Sequence, residues 1–154
     1  MQLSIVAKTI GLLLMVFSFA QVPPIIVDLI YSEGEYFSFL LSFALTGLGG
    51  LILWWPFKDT KKDFRLREGV LIVVCFWIFL SLFGTLPFLI TDSISNLSFS
   101  DAFFESMSGL TTTGATVMSQ LDDLPKSILF YRQQLQWLGG MGIIVLAVAV
   151  LPLL

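Results

Sequence analysis

The sequence predicts an all-α integral membrane protein, in which two N-terminal transmembrane helices precede a helix, a loop that enters the membrane and returns, and a second helix. Of the 154 residues, 56% are hydrophobic and only 12% are charged, and the mean hydropathy is +0.92. A soluble core of this size cannot bury so much apolar surface. Several apolar segments reach the roughly 20 residues that a transmembrane helix needs. Between the last two of them, residues 99–117 mix acids, hydroxyl groups and aromatic rings in a way that suits neither lipid nor water.

The charged and reactive residues exclude several classes of function. The net charge is −3, and the chain has one cysteine and no histidine. Because the bases concentrate in one short loop, no basic patch exists to neutralise nucleic-acid phosphates. Histidine, the commonest general base and transition-metal ligand, is missing. Cys75 lies in an apolar run, which indicates that it is a small buried hydrophobe. We therefore expect no enzyme, no organic cofactor and no nucleic-acid partner.

Residues 1–68 are expected to form an N-terminal transmembrane hairpin followed by a cytoplasmic loop. The first apolar segment, residues 3–30, indicates a retained helix that is kinked or broken at Pro23-Pro24. A secretory signal with a small-x-small cleavage site at residues 18–20 is the alternative. The second segment, residues 37–57, holds three glycines that we expect at a helix-packing interface, with a gating hinge as the alternative. These glycines are Gly47, Gly49 and Gly50.

The orientation follows from residues 58–68, which hold five bases against three acids. A short, base-rich loop beside a membrane helix stays in the cytoplasm. The N-terminus is then cytoplasmic, and the turn at residues 31–36 is external. The basic loop could also bind lipid headgroups or a protein partner, although its role in topology explains it without either.

Residues 69–154 are expected to form a second unit, with an outer helix at 69–91, a short helix at 99–110, a loop at 111–116 and an inner helix at 125–154. Ser98 or Ser100 can cap the short helix. A segment that enters the membrane and returns, buried in protein, tolerates both its polar and its apolar residues. A poor spanning helix is the alternative, but its hydroxyl groups and two acids would be costly in lipid.

The composition of the loop is typical of an ion-selective filter. Three turns of helix, roughly 18 Å, would carry the negative C-terminal end of the short helix to the membrane centre, where a dehydrating cation needs stabilising. Carbonyls of an extended return over residues 111–116 can replace the hydration shell of an ion, and Gly114 suits the backbone angles that this requires. Oxygen ligands without a carboxylate favour a monovalent cation over Mg²⁺ or Ca²⁺. Residues 69–154 are therefore predicted to be one helix–re-entrant pore loop–helix unit.

Two acids of the short helix, Asp101 and Glu105, lie four residues apart and so share one face. They either attract cations at the outer mouth or pair with Arg132 or Lys126 behind the filter. We favour pairing for Glu105, because an acid deep in a membrane needs a partner. Acids predominate on the predicted external side, where they would raise the local cation concentration. They are Asp28, Glu33, Glu35, Asp92, Asp101, Glu105, Asp122 and Asp123.

Two motifs carry a family resemblance: SDAFFESMSGLTTTGATV at residues 100–117 and LPKSILFYRQQLQWLGGMGI at residues 124–143. They closely resemble the Trk/Ktr/HKT superfamily of potassium transporters, and within it the membrane subunits of bacterial Trk uptake systems. The resemblance implies that K⁺ binds the backbone carbonyls of Thr112 and Thr113 and that Gly114 is the filter glycine. The residues that flank this implied site are Thr111, Ala115 and Thr116.

The resemblance also implies partners and location. Family members work in the bacterial inner membrane with a cytosolic nucleotide-binding regulatory subunit, and we expect the complete protein to be a homodimer in contact with membrane lipid. The family builds its pore from four such units in one chain, and this sequence holds one. The abrupt end at Leu154 favours a piece of a longer protein that supplies the remaining pore units, with assembly of four copies as the alternative. We expect K⁺ uptake to which this chain contributes one of four filter segments. The competing hypothesis is a truncated or structural segment that conducts nothing by itself.

Overall fold

The computed structural model describes residues 3–60, 66–94, 97–119 and 121–150, and within these ranges the chain is helical with short connections. Its α-helices are α1 Leu3–Ser18, α2 Val22–Tyr31, α3 Tyr36–Trp54, α4 Leu66–Gly84, α5 Leu86–Ile90, α6 Phe99–Leu110 and α7 Lys126–Val150. Three helical stretches are long and apolar enough to cross a membrane, namely Leu3–Tyr31, Tyr36–Phe57 and Gly69–Ile90. They confirm the predicted all-α membrane class. Part of the basic loop, residues 61–65, and the last residues of the predicted inner helix, 151–154, lie outside the described residues.

The first span is interrupted by a 3₁₀ turn, Phe19–Gln21, which separates α1 from α2. We predicted a break at Pro23-Pro24, and the structure places it one turn earlier. A proline has no N–H to donate, and its ring clashes with the carbonyl four residues before it, which for Pro23 is that of Phe19. The distortion therefore precedes the prolines. Both prolines lie in the first turn of α2, where backbone N–H groups have no helical partner in any case.

Glycines bring α1 and α3 into close contact. A Cβ built on Gly50 would lie 2.7 Å from the Gly11 carbonyl oxygen, and one built on Gly11 would lie 2.6 Å from the Gly50 carbonyl oxygen. Beside this crossing, a Cβ on Gly49 would lie 2.5 Å from the Phe83 ring. The packing role predicted for these glycines is confirmed at Gly49 and Gly50, because no side chain larger than hydrogen fits there. Gly47 makes only an ordinary contact with Ser18.

The third span changes from α4 to α5 at Thr85, an interruption that we did not predict. Pro87 explains it, because proline cannot donate the hydrogen bond that would continue the helix. The Thr85 hydroxyl donates to the Ser81 carbonyl oxygen at 2.7 Å, a local bond that often bends a helix. On α4, exposed apolar side chains recur every four residues and form a stripe suited to lipid. They are Val70, Val74, Ile78 and Leu82.

Two acids that we expected on the external surface are buried. Asp28 is 1% exposed, and its two carboxylate oxygens accept the backbone N–H groups of Glu35 and Tyr36, both at 2.9 Å. Asp28 therefore caps the start of α3, where a negative charge is favoured. Glu35 is 6% exposed and accepts hydrogen bonds from the hydroxyls of Ser38 and Ser93. The prediction that these two acids attract cations is wrong, because their charges are engaged inside the protein.

The turn between α2 and α3 is attached to the start of α7. The carboxylate of Glu33 accepts the backbone N–H groups of Lys126 at 2.6 Å and Ser127 at 3.0 Å. Partial burial acts to raise the pKa of Glu33, but these hydrogen bonds, the Ser127 hydroxyl and the charge of Lys126 outweigh it and hold the pKa below its ordinary value. An acid from the hairpin thus caps α7.

Tyr131 of α7 joins the hairpin to the second unit in the core. It is fully buried, and its ring meets Phe39 and Phe88 at centroid distances of 5.7 and 5.3 Å. Its hydroxyl donates to the Gly84 carbonyl oxygen at 2.9 Å and accepts from the amide of Gln21 at 3.3 Å. A buried tyrosine hydroxyl needs such partners, and here they come from the first and third spans.

Candidate functional site

The short helix α6 begins with a capping box. The Asp101 N–H donates to the Ser98 hydroxyl at 3.2 Å, and the Ser98 N–H donates to the Asp101 carboxylate at 3.2 Å. Of the two serines proposed as caps, the structure selects Ser98. Asp101 is thereby committed to the helix start, where its negative charge is favoured.

The other end of α6 closes in a Schellman motif. The Thr112 N–H donates to the Gly109 carbonyl at 2.9 Å, and the Thr113 N–H donates to the Ser108 carbonyl at 3.0 Å. This pattern requires a left-handed residue just past the helix, a position usually taken by glycine. Here Thr112 occupies it, with φ of 58°. A β-branched residue in this region is strained, and such strain concentrates at functional sites.

After this motif the chain turns back along α6, which defines the return segment, residues 113–118. We expected extended backbone from Thr111 onwards, but Thr111 and Thr112 belong to the turn that closes the helix. Within the return segment, Gly114 has φ of +72° and donates its N–H to the Ser108 carbonyl at 3.3 Å. The Ser108 hydroxyl donates to the Ala115 carbonyl at 2.7 Å. One serine therefore holds the first half of the return segment against the helix.

Glu105 holds the second half of the return segment. Its Oε1 accepts hydrogen bonds from the Thr116 hydroxyl at 2.5 Å, the Val117 N–H at 2.7 Å and the Met118 N–H at 3.3 Å. Its Oε2 accepts from Arg132 on α7, with Nε at 3.1 Å and Nη2 at 3.0 Å. Both side chains are buried, so the predicted pairing of Glu105 with Arg132 is confirmed. The alternative, in which Glu105 is a cation attractor at the outer mouth, is wrong.

Glycine also lets α7 meet the end of α6. A Cβ built on Gly139 would lie 1.8 Å from the Leu110 carbonyl oxygen, a distance that no side chain allows. One turn earlier, a Cβ on Gly109 would lie 3.0 Å from the Leu135 side chain. The glycines at the middle of α7 therefore position the inner helix directly behind the start of the loop.

The loop itself is exposed, and part of its backbone has no hydrogen-bond donor among the described residues. Residues 111–117 are exposed, and within the described part of the chain no hydrogen bond ends on the carbonyl oxygens of Thr112, Thr113 or Gly114. The threonine hydroxyls are engaged locally: that of Thr111 bonds the Met107 carbonyl, and that of Thr112 bonds the Thr111 carbonyl. Within the described residues, the backbone oxygens of residues 112–114 therefore have no donor, while Ser108 and Glu105 hold the return segment to the protein. Among the described residues no cluster of three or more acidic or cysteine side chains could hold a metal ion.

The family model described as TrkH, cation transport protein, matches residues 36–154. The chain belongs to the TrkH family. A relative from Halomonas elongata, named Trk system potassium uptake protein TrkH, is 50% identical over 154 residues, covering 100% of this chain and 32% of the relative. A relative of the same name from Vibrio parahaemolyticus is 52% identical with the same coverage.

A solved TrkH structure shares the fold. The crystal structure of the potassium transporter TrkH from Vibrio parahaemolyticus matches with a TM-score of 0.92 and 52% identity, over 99% of this chain and 32% of that one. The chain thus spans about a third of the length of the TrkH proteins that it matches. With three apolar spans and this family membership, it is a multi-pass membrane protein.

For a TrkH-family segment, the residues that sequence reasoning missed are those that hold the loop from behind. Ser108 has no signal of its own, because a serine near a helix end is common. The left-handed backbone at Thr112 is also unmarked, since the glycine that normally reports such a position stands two residues later. Glu105 could be found because a buried acid requires a partner, but nothing in the sequence indicates its three bonds to the return segment.

Proposed function

We propose that this chain supplies one of four filter segments of a pore that carries K⁺ into bacteria across the inner membrane. The ligands are the backbone carbonyls of Thr112, Thr113 and Gly114, flanked by Thr111, Ala115 and Thr116. The single observation that carries the proposal is that residues 112–114 are exposed and that no hydrogen bond from the described residues ends on their carbonyl oxygens, while Ser108 and Glu105 hold the segment to the protein. The names of the relatives, potassium uptake proteins, support K⁺ as the ion.

The chemistry of the segment supports a monovalent cation. Neutral carbonyls replace the water shell of K⁺, whereas Mg²⁺ and Ca²⁺ call for carboxylates. The carboxylate within reach of the loop, that of Glu105, is already occupied by Arg132 and by the return segment. The C-terminal end of α6 adds a negative partial charge beside the carbonyls. Exposed acids on the proposed external side, Asp92, Asp122 and Asp123, are suited to raise the local cation concentration.

The proposed arrangement divides the chain into a hairpin with a cytoplasmic basic loop, residues 1–68, and a pore unit, residues 69–154. The pore unit comprises the outer helix at 69–91, the pore helix at 99–110, the filter at 111–116 and the inner helix at 125–154. The N-terminus is cytoplasmic, because the basic loop stays inside. The loop then enters and leaves the membrane from the outside.

We also propose the partners that the family resemblance implies. The remaining pore units of a longer protein surround the ion together with this one, and the complete protein forms a homodimer in membrane lipid. A cytosolic nucleotide-binding subunit regulates it.

A second candidate is a structural segment that does not conduct by itself. The open face of the loop favours it for the isolated chain, since one exposed wall cannot replace a whole hydration shell. This candidate predicts no K⁺ uptake when the 154-residue chain is expressed alone.

The test uses a hybrid transporter, in which this chain replaces the matching third of the Vibrio parahaemolyticus relative; the match covers 100% of this chain and 32% of the relative. We expect the hybrid to restore Rb⁺ and K⁺ uptake to cells that lack potassium import. Gly114→Ser should lower uptake about tenfold or more, because a side chain in the left-handed region costs about 1–2 kcal/mol.

The matched control is Gly34→Ser. Gly34 also has a positive φ, of 85°, but it lies in the external turn, where a Cβ built on it would have nothing within 4 Å. It should bear the same local strain and keep uptake. Equal uptake by the parent hybrid and the Gly114 variant would reject the filter assignment.

A further inference from the structure

The two oxygens of the Glu105 carboxylate accept hydrogen bonds from two different parts of the chain. Oε1 receives three donors from residues 116–118, and Oε2 receives two donors from Arg132. Glu105 is 4% exposed and Arg132 is 8% exposed. A buried carboxylate that accepts five hydrogen bonds is fully satisfied, which fixes its rotamer.

We propose that Glu105 and Arg132 are positioning residues that set the geometry of the filter carbonyls and thereby the preference among monovalent cations. The proposal rests on the proposed function. Neither side chain touches the ion, since both lie behind the loop. Glu105 acts by accepting hydrogen bonds from the backbone of the return segment, and Arg132 acts by holding the Glu105 carboxylate in place.

The contacts explain why this acid would matter to the filter. The carbonyls of residues 112–114 lie between two attachments, one at Ser108 and one at Glu105. At the outer attachment Val117 is 50% exposed, so side-chain packing does little to hold it. Its N–H donates to the Glu105 carboxylate at 2.7 Å. Without that acceptor, the return segment keeps its attachment at Ser108 and the buried side chain of Met118, but its backbone at Val117 is no longer bonded and the spacing between the carbonyls is less tightly fixed.

The ion pair makes single substitutions ambiguous. Removing either partner leaves a buried, unpaired charge, which destabilises a protein strongly. Two neutral double variants of the hybrid transporter avoid this. Glu105→Gln with Arg132→Gln keeps an acceptor oxygen for the return segment and lets the two amides bond each other. Glu105→Leu with Arg132→Leu is also uncharged but offers no acceptor.

We expect both double variants to reach the membrane and to support uptake at saturating K⁺. The leucine pair should raise the KM for K⁺ about tenfold and make uptake sensitive to Na⁺, since the three donors of residues 116–118 lose their acceptor. The glutamine pair should stay within about threefold of the parent in both respects, because hydrogen bonds remain. Asp101→Asn, one turn earlier on the same helix, is the matched control and should leave the KM unchanged.

Parental KM and Na⁺ response in the leucine pair would overturn the proposal. So would a glutamine pair that behaves like the leucine pair, because the charge rather than the acceptor would then be responsible. If a double variant fails to accumulate, Thr116→Val decides: it keeps the ion pair and removes one donor, and an unchanged KM would reject the positioning role. Failure of the proposed function is recognised separately, by a Gly114→Ser hybrid that transports like its parent.

Discussion

Thr112 and Gly114 share a left-handed backbone, with φ of 58° and 72°, but they differ in what this conformation costs. Glycine adopts it freely, whereas a β-branched residue does so at an expense of roughly 1–2 kcal/mol. The Schellman bonds of Thr112 and Thr113 and the bond of the Thr112 hydroxyl to the Thr111 carbonyl hold the strained residue in place. The helix end and the proposed ion site therefore meet in one strained residue.

Replacing Thr112 by asparagine should relieve this strain, because asparagine tolerates the left-handed region. We expect a stability gain on the order of 1 kcal/mol, seen as a higher melting temperature of the purified hybrid transporter. Thr113→Asn is the control, since Thr113 is not among the residues with positive φ. Equal melting temperatures for the two variants would mean that the backbone at Thr112 carries no strain.

The sequence indicates the left-handed backbone of Gly114 but not that of Thr112, and the reason is physical. A glycine in a threonine-rich run reports a backbone that other residues avoid. A threonine reports nothing about φ, because its conformation here is imposed by the hydrogen bonds that end α6. Likewise, the need of Glu105 for a partner followed from its expected burial, whereas its bonds to residues 116–118 depend on where the chain turns.

At the scale of helices, the contact between α6 and α7 has no room to adjust. Gly139 lies against the backbone of Leu110, and the nearest neighbour is a carbonyl oxygen that cannot rotate away. Interiors packed at this density respond to an added methyl group by shifting whole elements. The register of α7 against the start of the loop is thus fixed by one small residue.

Gly139→Ala should therefore disrupt the unit, with a loss of about 3 kcal/mol, the upper end of the usual cost of overpacking, and poor recovery of folded hybrid transporter. Gly142→Ala is the matched control in the same helix, since the nearest atom to its Cβ would be the Trp77 ring at 4.0 Å. Size-exclusion profiles in detergent measure both. A Gly139→Ala variant that elutes and melts like the control would contradict the tight crossing.

Helix positions were largely predictable because long apolar runs and prolines mark them, as the spans Leu3–Tyr31 and Tyr36–Phe57 illustrate. The predictions that were wrong concern tertiary contacts. The first span breaks before its prolines because the clash falls on an earlier carbonyl. Asp28 and Glu35 are buried because they cap and bond neighbouring elements, which no local pattern reveals.

At the scale of the whole molecule, polar contacts join the hairpin to the second unit, residues 69–154. Glu33 in the turn between α2 and α3 caps α7, the Ser127 hydroxyl donates to the Glu33 carboxylate at 3.0 Å, and the Gln21 amide donates to the Tyr131 hydroxyl in the core. A helix start left without such partners would expose unsatisfied N–H groups. The hairpin therefore supports the inner helix.

Acid should weaken this support. The pKa of Glu33 is lowered from its ordinary value of 4.5 in the folded protein, so its contribution to stability is present above that value and is lost as the pH falls through the folded-state pKa. We expect the melting temperature of the hybrid to fall more steeply below about pH 4.5 than that of Glu33→Gln. Asp122→Asn, a change to an exposed acid in the turn before α7, should melt like the parent. Parallel curves for the parent and Glu33→Gln would refute the cap.

The two contacts of α7 with the loop also bear on how this sequence can evolve. Through Glu105, Arg132 holds the end of the loop at residues 116–118, and Gly139 contacts the residue before the loop, Leu110. Arg132 and Gly139 lie seven positions apart on one rigid helix. At the usual rise this is roughly 10 Å, a length that the helix cannot change one residue at a time. Between Leu110 and Thr116 a residue can therefore be replaced without changing the distance between the two contacts, but an insertion or deletion would change it and should not be tolerated. Among relatives, the spacing from position 105 to 114 and from 132 to 139 should be constant even where the residues differ.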